Sequence, residues 1–177
     1  MQAKKLEILI IIPARKNSKR LKNKNILKVN KRSLVQRTID IAKKIANKDN
    51  ILVSTDSKKI LEIAKKNKVL APWLRPKELS SDKISSEKVI IHALNWFEKN
   101  VKKVNCLLLL QPTSPFRNKK SIERGLRLFK KYRNYSIISL NKISSTYNLF
   151  YMNKKSYSLS NIVNQNNSYY KPNGSFY

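Results

Sequence analysis

Two runs, Leu6 to Ile12 (LEILIII) and Val104 to Leu110 (VNCLLLL), are almost wholly aliphatic. A strand this apolar is buried on both faces, and both faces are covered only when helices pack above and below a parallel sheet. The sequence between and after the runs supplies those helices. Ser33 is a natural N-cap for a helix whose inward stripe is Leu34, Val35, Thr38, Ile39, Ile41, Ala42 and Ile45. Ile51 to Ser54 reads as a short buried strand, and Ser57 caps a second helix with Ile60, Leu61, Ile63 and Ala64 inside. Val69 to Ala71 suggests a third short strand. Ser85 or Ser86 opens a helix with Val89, Ile90, Ala93, Leu94 and Phe97 on its core face. Lys119 to Tyr132 follows as a helix using Ile122, Leu126 and Phe129, and Ser136 to Leu140 is again strand-like. Strand and helix alternate, which predicts an α/β fold with a mostly parallel sheet.

The pattern changes at Asn141. Tyr147 to Met152 and Ser156 to Val163 read as a polar, aromatic-rich hairpin around Asn153-Lys154-Lys155, with a loop over Asn164 to Ser168. The chain ends on Asn173-Gly174-Ser175-Phe176-Tyr177, a turn leading into what reads as another strand. The 177 residues fit one domain of ordinary size.

Composition removes whole classes of chemistry. Cys106 is the sole cysteine and His92 the sole histidine, so an internal disulfide, a CxxC knuckle and an HExxH or multi-histidine metal centre are excluded. Neither GxSxG, GxxxxGK[ST] nor GxGxxG occurs. No apolar run reaches the roughly 18 residues of a membrane span, and the charged start lacks a signal-peptide pattern. The expectation is a cytoplasmic protein with no membrane partner. With 39 basic against 10 acidic residues the formal charge is +29. That charge is mostly lysine and is spread over every predicted helix. A dedicated phosphate-reading surface concentrates arginine instead. The spread favours a general compositional bias, with nucleic-acid binding as the rival reading.

Ligands of open α/β sheets bind beyond the carboxyl ends of the strands. Four polar clusters fall there: Pro13 to Arg20 running on to Lys24-Asn25; Ser54-Thr55-Asp56; Arg75 with Ser80, Ser81 and Asp82; and Gln111 to Arg117. The first follows a buried strand directly, and its backbone N–H groups, arginines and lysines can cradle a polyphosphate. Asp56 and Asp82, two of only ten carboxylates, can either bind a metal or orient the cations of that loop. His92 beside an apolar stripe reads as a boundary residue, Cys106 as a buried thiol and Trp96 as packing. Trp73, two residues before Arg75, is a possible wall of a base pocket.

The wording of these clusters resembles the acylneuraminate cytidylyltransferases, the CMP-N-acetylneuraminic acid synthetases. Ile12-Pro13-Ala14-Arg15-x-x-Ser18-Lys19-Arg20-Leu21 with Lys24-Asn25 is similar to the family's N-terminal signature. Ser54-Thr55-Asp56-Ser57, Arg75-Pro76-x-Glu78-Leu79-Ser80-x-Asp82, Leu109 to Arg117 and Lys171 to Tyr177 repeat the resemblance in order. Together these segments span almost the whole chain.

The resemblance implies a Rossmann-like nucleotidyltransferase core, with a protruding segment at about 141–170 that mediates homodimerisation. It implies transfer of CMP from CTP to a sialic-type, nine-carbon acidic sugar, release of pyrophosphate and a need for Mg²⁺. Legionaminic, pseudaminic or 3-deoxy-manno-octulosonic acid are alternative acceptors, and a truncated inactive homologue is a further reading. Carried over by position, Arg15 and Lys24 are the catalytic cations on the triphosphate. Ala14, Ser18, Lys19 and Asn25 contribute around the phosphates, Arg75 and Ser86 read the cytosine, and Thr113 touches the nucleotide. Gln111, Asn173 and Tyr177 fall on the sugar side, and Asp56 and Asp82 take supporting roles. Three departures stand out. The family's metal-binding Asp-x-Asp is absent, implying a fold cut short at its C-terminal end. Lys16-Asn17 replaces a frequent Gly-Gly, with Asn17 the residue better suited to a left-handed backbone. Ser145-Thr146-Tyr147 replaces a frequent His-Pro.

Overall fold

The computed structural model describes residues 6–18, 21–81, 83–132, 135–143, 150–152, 159–161 and 169–172, with side-chain surroundings through residue 140. Nine strands and four α-helices are placed among them. In chain order they are β1 (Ile8–Pro13), β2 (Lys28–Val29), β3 (Arg32–Ser33), α1 (Leu34–Ala42), β4 (Ile51–Ser54), α2 (Lys58–Lys66), α3 (Ser86–Asn100), β5 (Cys106–Leu109), α4 (Lys119–Lys131), β6 (Leu140–Ile143), β7 (Phe150–Met152), β8 (Leu159–Asn161) and β9 (Tyr169–Pro172).

β1 lies between β4 and β5, and both pairings are parallel. Its side chains alternate between two cores. Ile10 and Ile12 face a cluster with Val35 and Ile39 of α1, Ile60 and Ala64 of α2 and Ile122 of α4. Leu9 and Ile11 face Ala93 and Phe97 of α3 on the opposite side. All four of these β1 residues are fully buried. The expected helix-covered parallel sheet is present.

Local signals fix the helix starts. The hydroxyls of Ser33, Ser57 and Ser85 accept from the backbone N–H groups of Gln36, Ile60 and Lys88, which satisfies donors that a helix N-terminus otherwise leaves bare. Ser85 is therefore the cap of α3 and Ser86 its first residue.

Several expectations need correction. Val69 to Ala71 forms only an isolated parallel bridge, Leu52 to Leu70, outside the named strands. Residues 136–139 join no ladder, and the strand starts at Leu140. Ile137 packs against the α1/α2/α4 core, so burial accounts for the apolar character read as a strand there. Asn17 is not left-handed; the positive φ of this region is at Asn23 (56°), where the chain reverses into a 3-10 turn over Lys24–Ile26. β7 and β8 form the expected antiparallel pair, while β9, which pairs with both β6 and β7, had no clear period-2 signal.

Phe97 is fully buried in the α3-side core. Phe97→Ala is expected to lower stability by about 3–5 kcal/mol, read as a reduced midpoint in urea denaturation.

Candidate active site

Parallel pairing places the ends of β1, β4 and β5 on one edge of the sheet, with Pro13 opposite Ser54 and Ile11 opposite Leu109. The loops leaving β1 and β5 meet the segment from Arg75 to Val89 there around a cavity of about 340 Å³, within the range of small-molecule sites. Arg15, Ser18, Lys24 and Asn25 from the first loop, Arg75, Ser86 at the start of α3, and Gln111 and Thr113 after β5 all line it. Eight residues singled out in the sequence thus converge on one space. Leu79, Ile84 and Val89 add an apolar side. Val89 is legible in the sequence only as a core residue of α3; that it faces the cavity depends on where the Arg75 loop crosses the helix.

Not every candidate lines the space. Ala14 is fully buried, and its N–H donates to the Ser54 carbonyl at 3.0 Å. Trp73 packs elsewhere, edge-on to His92 and tilted against Trp96, each with ring centroids 5.0 Å away. Aromatic packing on α3 decides its position, so it does not wall the cavity. Lys19, Asp82, Asn173 and Tyr177 lie outside the described residues.

The cationic loop is held in shape. Asp56 Oδ1 accepts from the Lys16 backbone N–H at 2.6 Å. Asn25, 6% exposed, donates from Nδ2 to the Arg15 carbonyl at 2.9 Å and so ties the end of the loop to its beginning. These two contacts fix the backbone at Arg15 and Lys16 on the cavity's edge.

Arg75 is 7% exposed. Its Nε donates to Ser54 Oγ at 3.1 Å, its Nη2 donates to the Ser54 carbonyl, and its own N–H donates to the Thr55 carbonyl at 2.6 Å. Burial holds its pKa below the usual arginine value; nearby Asp56 raises it and nearby Arg15 lowers it. Arg117 is 9% exposed, and burial lowers it to about 10. Arg75 lines the cavity, and Arg117 donates to the carbonyl of Gln111, which lines it too.

A family model described as Cytidylyltransferase matches residues 9–175. This chain belongs to the cytidylyltransferase family. Curated members similar to it include the CMP-N,N'-diacetyllegionaminic acid synthase of Legionella pneumophila, 36% identical over 78% of this chain and 60% of the relative. The N-acylneuraminate cytidylyltransferase of Escherichia coli O18:K1:H7 is 34% identical over 97% of this chain and 42% of the relative. The chain therefore spans about half the length of these family members. Among solved structures, a CMP:2-keto-3-deoxy-manno-octonic acid synthetase complexed with CTP superposes with a TM-score of 0.58. It is 19% identical over 77% of this chain and 51% of that one. That likeness agrees with the Rossmann-like nucleotidyltransferase fold. No helix among the described residues is long and apolar enough to cross a membrane.

Removing the carboxylate that holds the loop separates its two effects. Asp56→Ala is expected to lose on the order of 1.5 kcal/mol of stability, and Asp56→Asn, which keeps an acceptor for Lys16, distinctly less. Chemical denaturation of both variants against the parent chain measures the difference.

Proposed function

We propose that this chain carries the nucleotide site of a cytidylyltransferase that moves CMP from CTP to a sialic-type nonulosonic acid. One observation carries the reading: cationic, hydroxyl and amide side chains from separate segments line one cavity at the carboxyl edge of a parallel sheet. A triphosphate suits the Arg15 and Lys24 side, where the charge it brings is matched. The partly apolar lining of Arg75, Ser86 and Val89 suits a pyrimidine base.

In the proposed reaction the anomeric hydroxyl of the sugar attacks the α-phosphorus of CTP. A new P–O bond forms, the α–β anhydride bond breaks, pyrophosphate leaves and the hydroxyl proton is released. Arg15 and Lys24 stabilise the charge that builds on the departing pyrophosphate, and the rest of the wall holds the two reactants in line. Ser18, Lys19 and Asn25 support the phosphate side, and Thr113 the nucleotide. Gln111, with Asn173 and Tyr177, belongs to the sugar side of this reading. Asp56 and Asp82 act as supports of the cations.

Mg²⁺ is implied for this chemistry by the family resemblance. Among the described residues no three His, Cys, Asp or Glu side chains come together. Asp56 is already engaged by the Lys16 N–H and lies close enough to Arg75 to raise its pKa. These residues do not fit a protein-held divalent ion, and no step is assigned to one.

The candidate acceptors, sialic, legionaminic, pseudaminic and 3-deoxy-manno-octulosonic acid, share one chemical class. A relative named for N-acylneuraminate covers 97% of this chain, and one named for N,N'-diacetyllegionaminic acid has the higher identity, 36%. Offering each acid in turn to the protein with CTP and measuring pyrophosphate release separates them.

CTP with Mg²⁺ at a hundredfold excess over its Kd is expected to stabilise the fold by about 2.7 kcal/mol. For a chain of this size that is a rise in Tm of roughly 5–10 °C. ATP should give a smaller rise, and Arg15→Ala should abolish the CTP effect; equal shifts from all four nucleotides would defeat the base assignment. The segment at about 141–170 is proposed as the dimerisation element of the same domain. Sedimentation equilibrium should then return twice the chain mass of 20.7 kDa.

A further inference from the structure

The wall formed by Gln111 to Thr113 follows a strand that ends at Leu109, and it carries two prolines nearby in Pro112 and Pro115. Proline removes backbone donors, so this stretch has few ways to hold itself. Leu110 N–H still reaches the Ile11 carbonyl at 3.0 Å, and Ser114 N–H donates to the Gln111 carbonyl at 3.3 Å. A different residue ties the segment to the rest of the molecule. Arg117 Nη2 donates to the Gln111 carbonyl, and Nη1 donates to Thr38 Oγ1 at 3.2 Å. Thr38 is fully buried inside α1 and is itself anchored, donating from Oγ1 to the Leu34 carbonyl at 2.9 Å. The adjacent Phe116, though 74% exposed, lies under the Arg37 guanidinium of the same helix at 5.6 Å.

We propose that Arg117 is a positioning residue: its guanidinium bridges α1 to the Gln111 carbonyl and so sets where Gln111 and Thr113 stand in the cavity wall. Burying a guanidinium carries a desolvation penalty. The chain places one here, with bonds to a threonine hydroxyl and a main-chain carbonyl, where an aliphatic side chain would fill the volume without that penalty. The planar fork is what the task needs, because its donors reach two points on different elements in a fixed geometry. A lysine ammonium at the end of a flexible stem cannot hold both with the same precision. Burial also pushes Arg117 down to about 10, still charged at neutral pH. The proposal rests on the nucleotide reading of the cavity for its functional consequence, and on the geometry alone for its structural one.

The test uses the full chain and the variants Arg117→Met, Arg117→Lys and Thr38→Val at 10 °C, where a destabilised protein is still folded. Two quantities are measured: hydrogen exchange of the amides over residues 111–116, and the Kd for CTP by calorimetry. Arg117→Met is expected to speed exchange in that segment at least tenfold while the amides of α1 keep their protection, and to weaken CTP at least tenfold. Arg117→Lys and Thr38→Val should fall between Met and the parent chain on both. A folded Arg117→Met with parental exchange over 111–116, or with a CTP Kd within twofold of the parent, overturns the proposal. If the parent chain fails to bind CTP, the nucleotide reading has failed, and the exchange measurement then decides by itself whether Arg117 fixes the wall.

Discussion

The central strand, β1, has strands hydrogen-bonded to both edges and helices packed on both faces. Because β4 and β5 run parallel to it, the three chains leave the sheet on the same side, and their loops have no choice but to meet. The cavity lies where the loops after β1 and β5 meet the segment from Arg75 to Val89. An antiparallel partner on either edge would send one of the loops to the far end of the sheet and dissolve the site. The four buried aliphatic residues of β1 that split between the two cores are thus as necessary to the site as Arg15, although they sit beneath it and carry no chemistry.

Much of this was legible because it was local. Alternation of aliphatic runs with capped amphipathic stripes predicts strand, helix and the edge where ligands bind, and serine caps mark helix starts to within a residue. Arg15, Lys24, Arg75 and Gln111 were identifiable because they follow strands directly or repeat family wording. What escaped was decided across the chain. Trp73 could have faced the cavity or the helix, and only the position of His92 and Trp96 on α3 settles it. Asn17 and Asn23 are equally suited to a left-handed backbone; the turn over Lys24–Ile26 requires it of Asn23. Ile137 and Ile138 read as strand, yet Ile137 packs partly buried against the core, and burial without a ladder has the same signature as a short strand. Arg117 looked like the end of a motif, and its reach to Thr38 spans 79 positions in the chain.

The arginines and lysines divide the electrostatic work. Arg75 and Arg117 are nearly covered, and the hydrogen bonds described for them run to fixed oxygens of Ser54, Gln111 and Thr38. They hold loops in place with donors whose direction cannot drift, and they lend the cavity a charge that water screens little. The exposed lysines are mobile point charges, screened within about a Debye length at physiological salt. They raise the encounter rate of any polyanion without preferring one.

That division bears on how a protein with a formal charge of +29 can be selective at all. Nonspecific attraction grows with the count of surface cations, so a triphosphate, a nucleic acid and a simple polyanion are drawn in alike. Discrimination has to come from a place where geometry outweighs charge. The 340 Å³ cavity combines two kinds of lining: Leu79, Ile84 and Val89 are apolar, and Arg15, Lys24 and Arg75 are cationic. On the proposed reading, a ligand that joins a flat, weakly polar group to phosphates uses both. The carboxylate of Asp56 holds the Lys16 backbone in position and also offsets the charge at Arg75. One of the ten acidic residues in this basic chain thus ties the first loop of the cavity to the segment after β4.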